Sequence, residues 1–215
     1  MRRWWLSLTA LALALVCYYL PWYTHATAAF TLQAYDLAEW ASLHPAVRAE
    51  SPALLTSFLL RLPQMTLVLA AALLANGSSD PRARWLVRGV AVVVALRFLP
   101  PREFFGNASA DPNYRQMAVF TALSVVGIAG AAVGASLPVR WQAWATVGVL
   151  LVGVLAGWWG VLRTYPLLDN FEIGVQVGSG VVGYTVFCLL AVGGMMETKK
   201  AVDRCQSPPS MTPGG

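Results

Sequence analysis

Charge is what this sequence has least of. Asp, Glu, Lys and Arg make up 12% of its 215 residues, against 57% apolar residues. A soluble domain carries about a quarter charged residues, so too little charge is present here to cover one water-facing globule. Lysine is nearly missing, with 2 Lys against 13 Arg. The net charge of +5 is scattered over connecting segments and forms no basic strip with aromatics, which argues against a nucleic-acid partner. Cysteine is equally scarce. Cys17 and Cys188 lie in apolar runs, Cys205 lies near the end, and no Cys-x-x-Cys occurs, so neither a disulfide framework nor a dithiol redox site is indicated. Catalytic signatures are missing too: no His-Glu-x-x-His, no Ser-His pairing and no glycine-rich phosphate loop after a strand. The reading therefore leans away from an enzyme, and no cofactor is implied.

What is present is apolar length. The runs are near 20 residues, the span of a transmembrane helix. Alternating segments of about 10 residues, the mark of a membrane barrel, do not occur. In a bilayer the backbone must satisfy its own hydrogen bonds. The expected fold is an all-α integral membrane protein, a bundle of six transmembrane helices within a single domain over residues 1–200, followed by a disordered cytoplasmic tail over 201–215.

The first span is Trp5 to Tyr23, behind Arg2 and Arg3. Ala26-Thr27-Ala28 resembles a signal-peptide cleavage site, but the length of the run and the belt of Tyr18, Tyr19, Trp22 and Tyr23 favour a retained span. Phe30 to His44 forms a short interfacial helix in the first outer loop, with Phe30, Ala34, Leu37 and Ala41 on one face. Ser51-Pro52, Asp80-Pro81 and Asp111-Pro112 are start signals, a capping side chain followed by a proline at the first helical position. They open the second span (53–75), the third (to about Leu99) and the fourth (to about Leu137). The fifth runs from Val139 to Leu162, and the sixth follows Asp169 and Asn170, with Glu172 in its first turn, and ends near Met196.

Nine basic residues and three acids fall on the side of the termini, six basic residues and seven acids on the other. The positive-inside rule then puts both ends in the cytoplasm. The high arginine share fits a bacterial inner (plasma) membrane protein.

Three constellations could carry function. Glycines crowd the last three spans, including Gly153, Gly157, Gly174 and Gly178. Small residues let helix backbones close up in lipid, so these are packing positions. Arg61 lies within the second span beside Pro63 and Gln64, where an unpaired guanidinium costs at least about 2–3 kcal/mol. With Arg97 and the outer acids Asp36 and Glu39 it makes either an ion-pair network or an anion-binding vestibule in which guanidinium forks take a carboxylate or phosphate. Trp40 would wall that vestibule, with Trp158 and Trp159. Finally, His25 and His44 with Asp36 and Glu39 could hold haem or a metal, although His44 precedes a proline that biases it away from helix.

The functional expectation is a non-catalytic solute-binding or transport component with Arg61, Gln64, Arg97, Trp40, Asp36 and Glu39 as ligand-binding residues. The first alternative is a structural or accessory subunit of a larger membrane complex, and the second a haem- or metal-bearing subunit or intramembrane enzyme. The expected partners are the lipid bilayer, another membrane protein subunit and a small anionic solute.

Overall fold

A computed structural model of the chain describes residues 2–25, 31–169 and 174–206. The Ala26-Thr27-Ala28 site, Phe30, Asn170, Glu172 and residues 207–215 lie outside them. The described chain is mostly helical: α1 (Arg2–Tyr18), α2 (Ala34–Leu43), α3 (Pro45–Arg48), α4 (Leu55–Ala75), α5 (Pro81–Ala95), α6 (Pro112–Val133), α7 (Val139–Asp169) and α8 (Ser179–Gln206). Three helical stretches are long and apolar enough to cross a membrane: Leu55–Ala75, Pro112–Ser136 and Val139–Asp169. Trp4–Tyr18 and Ser179–Met195 are apolar but shorter.

The fold is not purely helical, which corrects the all-α expectation. The strands β1 (Pro21–His25), β2 (Thr31–Gln33) and β3 (Val175–Val177) form an antiparallel sheet in the order β2-β1-β3. Tyr23 pairs with Leu32 on one side and Val177 on the other. Pro21 is the physical reason. Its ring biases Leu20 away from helix and cannot donate to the preceding turn, and Trp22, Tyr23 and Thr24 are strand-favouring residues. The helical part of the first span therefore ends at Tyr18, and that of the last begins only at Ser179. At its other end α8 runs on through 201–206, past the expected domain boundary at residue 200.

Two of the three start signals hold, and Ser51-Pro52 does not open a helix. Asp80 accepts from the Arg82 amide at 2.9 Å and Asp111 from the Asn113 amide at 2.8 Å, each capping the helix that follows. α4 differs. Its N-cap is Leu54, in the left-handed region at φ 59° with no capping side chain. Glu50 does the capping from a distance, accepting from the Thr56 amide at 2.8 Å.

α4 is the axis of the fold, packed by α1, α2, α5, α6 and α7, while α1 pairs with α8. The largest apolar cluster joins α1, β1, α2, α4, α7 and α8 around Tyr18, Trp22, Tyr23 and Tyr184, all fully buried. Two smaller clusters lie between α4, α5 and α6, one of small aliphatics (Val68, Ala72, Ala91, Ala95, Ile128, Ala131) and one around the stacked rings of Phe98 and Phe120. α2 buries Ala34, Leu37, Ala38 and Ala41, the face expected from helical spacing, and packs it on α4.

Candidate functional site

The sheet, α2, α3 and the starts of α4 and α6 gather at one end of the molecule, here the cap. Arg61 projects there from α4, its side chain 1% exposed. One Nη donates to Gln116 Oε1 at 2.8 Å; the other donates to Glu39 Oε1 at 2.6 Å and Asn113 Oδ1 at 2.7 Å. A charge at that depth needs an opposite charge and further hydrogen bonds to be tolerated. Glu39 supplies the first, and two amide oxygens from the opening of α6 supply the second. Gln116 in turn donates to the Leu54 carbonyl at 3.1 Å, so the network also holds the left-handed turn that starts α4.

Two further pairs tie the cap together. Arg163 of α7 reaches Glu50 at 2.8 Å and the Thr56 hydroxyl at 3.0 Å. Arg48 of α3 reaches Asp111 at 2.8 Å. Burial pushes the Glu50 carboxyl up, but the bonds from Arg163 and Thr56 outweigh it and hold the group below its ordinary value. Asp111 follows the same logic, with Arg48 and the amides of Asn113 and Tyr114 overcoming burial.

The candidate residues divide. Arg61 and Glu39 meet directly. Gln64, fully buried one turn below Arg61, donates to the Val94 carbonyl at 3.0 Å and leaves its Oε1 without a partner. The Arg61 Nε is also buried and unpartnered. Arg97 is exposed and lies over the Tyr35 ring at 4.8 Å. Burial pushes the Tyr35 hydroxyl up and Glu39 adds to the rise, while Arg97 and Arg61 oppose it. Asp36 is exposed and accepts from Gln33 at 2.8 Å, away from the guanidinium of Arg61. Trp40 lies against His44, ring centroids 5.6 Å apart. Trp158 donates to Thr185 of α8 at 2.9 Å and Trp159 is 61% exposed, so the three tryptophans do not form one wall.

Asn113, Gln116 and Tyr35 belong to the site and sequence reasoning passed over them. The available signal was the polar pair Asn113 and Gln116, three apart on one face of a span's first turn.

The glycines separate as well. A Cβ on Gly153 would strike Thr66 and the Tyr184 hydroxyl, one on Gly157 would stand 2.9 Å from Trp22, and one on Gly178 would strike the Pro21 carbonyl. Those three are close-approach positions. Gly174 is exposed, and a Cβ on it would come no nearer than 3.9 Å to His25 Nε2.

His44 accepts from the Ala46 amide at 3.2 Å as the cap of α3. Among the described residues no group of three or more His, Cys, Asp and Glu is arranged to hold a metal ion. Compared with family models, curated proteins and solved structures, the chain has no match.

Proposed function

We propose that this chain is a non-catalytic, six-span integral membrane protein and that it acts as a structural or accessory subunit of a larger membrane complex. One observation carries the reading: three cap arginines are each spent on a carboxylate of the same chain, Arg61 on Glu39, Arg48 on Asp111 and Arg163 on Glu50. Guanidiniums engaged in this way lock the cap and hold little charge in reserve for a solute. The locked cap also displays apolar side chains, with Leu43 72% and Phe105 74% exposed. Both lie in connecting segments outside the long apolar helices, where a partner subunit would cover them.

The test is mild extraction from native membranes followed by mass spectrometry. A stoichiometric protein partner is expected, and the Leu43→Glu, Phe105→Glu double variant is expected to lose it while remaining folded. A monodisperse chain with no partner overturns the reading.

A second reading, an anion-binding component, has its own support. Arg97 has no carboxylate partner among the described residues, and its guanidinium lies over the Tyr35 ring at 4.8 Å. A carboxylate or phosphate seated there would take the Arg97 guanidinium. In that case a small anion co-purifies with the wild-type chain and is lost in Arg97→Ala.

A further inference from the structure

At the end of the molecule opposite the cap, the pairing of arginines with acids breaks down. Arg84 and Arg88 stand one helical turn apart on α5. Arg88 is 8% exposed, donates to Asn76 Oδ1 at 2.6 Å and lies over the Trp85 ring at 5.5 Å. Arg84 donates to the Ser78 carbonyl at 3.0 Å. The Nε of each is buried and has no partner, and among the described residues no carboxylate lies within ion-pair distance of either. The acid closest to them in sequence, Asp80, uses its carboxylate to cap α5. Two like charges at this spacing repel, and a buried cation without an opposite charge is expensive. Neutral oxygens from Asn76 and Ser78 orient the two guanidiniums without neutralising them.

An apolar groove runs beside the same stretch of α5, from Leu86, between the two arginines in sequence, to Val94. It has a volume of about 260 Å³, with α4 as its floor (Leu67, Ala71) and α1 (Leu11, Leu15) and α5 (Val87, Val90) as its walls. Trp85, 69% exposed, marks the same turn of α5, and exposed tryptophans favour the headgroup level of a bilayer. A phosphate at that level and a hydrocarbon chain beyond it belong to one kind of molecule.

We propose that this end of α5 is a binding site for an anionic phospholipid. The headgroup phosphate, with no cationic substituent to offset it, takes free donors of Arg84 and Arg88, and one acyl chain lies in the groove between α1, α4 and α5. Basic pockets between membrane helices are suited to such headgroups, and the guanidinium fork matches phosphate oxygens. The proposal requires that the chain lie in a bilayer, not that it serve as a subunit.

The test is native mass spectrometry of the full chain in detergent, titrated with phosphatidylglycerol, with phosphatidylcholine of identical chains, and with inorganic phosphate. Phosphatidylglycerol is expected to bind about thirtyfold more tightly than phosphatidylcholine, each arginine contributing about fivefold. Arg84→Gln with Arg88→Gln should abolish that preference. Ala71→Phe, which fills the groove, should weaken both lipids and keep the ratio between them, so the proposal stays testable if the arginine variant fails to fold. Equal binding of the two lipids by the wild type overturns the proposal, as does an unchanged preference in the arginine variant. If inorganic phosphate competes as well as the lipid does, or Ala71→Phe changes nothing, the acyl-chain part fails. None of these results bears on whether a protein partner co-purifies.

Discussion

On the side of α4 that faces α1, α7 and α8, aromatic rings and glycines meet at close range and the buried hydroxyls are used. Tyr18 donates to the Leu60 carbonyl at 3.1 Å, Tyr23 to Val161 at 2.6 Å and Ser7 to Ala191 at 3.2 Å. On the side that faces α5 and α6, the contacts are small aliphatics, the rings of Phe58, Phe98 and Phe120, one close glycine (Gly127 against Leu69) and buried polar groups left incomplete. The buried polar side-chain atoms that lack a partner among the described residues are Arg61 Nε, Gln64 Oε1, Arg84 Nε, Arg88 Nε and Ser124 Oγ, and all of them belong to α4, α5 or α6. An unpaired buried polar atom costs about 1–3 kcal/mol, so stability is concentrated on the first side and unmet hydrogen-bonding capacity on the second. Ligand-binding regions are usually drawn from the less stable parts of a fold. Arg97, which follows α5, and Arg84 and Arg88 on α5 fall on the second side, while the acyl groove is walled by α1 as well.

The contrast can be broken by mutation. The largest effect is expected from Glu39→Ala, which leaves Arg61 buried without its counter-charge. Removing one partner of a fully buried pair costs about 3–5 kcal/mol; with Glu39 itself 34% exposed, the loss of unfolding free energy in mixed micelles is expected at or below the lower end of that range. If the loss is no greater than for Arg48→Ala, whose side chain is 37% exposed, the Arg61 network does not hold the second side together.

A smaller effect separates glycines on the two sides. A Cβ at Gly153 lands on Thr66 and Tyr184, whereas one at Gly130 of α6 meets nothing within 4 Å. Gly153→Ala should cost about 1–3 kcal/mol by overpacking. Gly130→Ala should be neutral, or gain up to about 1 kcal/mol from helix propensity. Equal thermal shifts for the two would show that the packing does not differ as described.

The smallest effect concerns pH. Glu50 and Asp111 have ordinary values of 4.5 and 3.8 and are held lower in the folded state. A depressed carboxylate contributes its stabilisation above the ordinary value and loses it as pH falls through the depressed one. Detergent-solubilised protein should therefore be insensitive to these groups near neutrality and weaken progressively below about pH 4.5. Glu50→Gln should flatten part of that decline. An identical acid profile in the variant would show that the pair with Arg163 adds nothing, as many partly exposed pairs do.

Much of this architecture was legible because it depends on local rules. The Asp-Pro signals placed the starts of α5 and α6, since a capping carboxylate and a proline at the first turn act within four residues. Apolar run length marked the three long helices. Arg61 stood out because a guanidinium inside such a run has few tolerable environments, and its pairing with Glu39 was among the partners that the local charge allowed. By itself, then, the sequence determined that the chain is mostly helical and rich in membrane-length segments, and that Arg61 must find a counter-charge. Tertiary structure decided the rest. β1 pairs with β3 from the far end of the chain, and sheet pairing depends on such partners rather than on any one segment. Glu50 caps α4 across an intervening turn. Asn113 and Gln116 acquire meaning only when α6 lies against α4, and Gly174 and Gly178, so close in sequence, differ because only Gly178 meets the Pro21 carbonyl. Whether a polar group is satisfied depends on neighbours contributed by other helices, and those neighbours are set only when the helices pack.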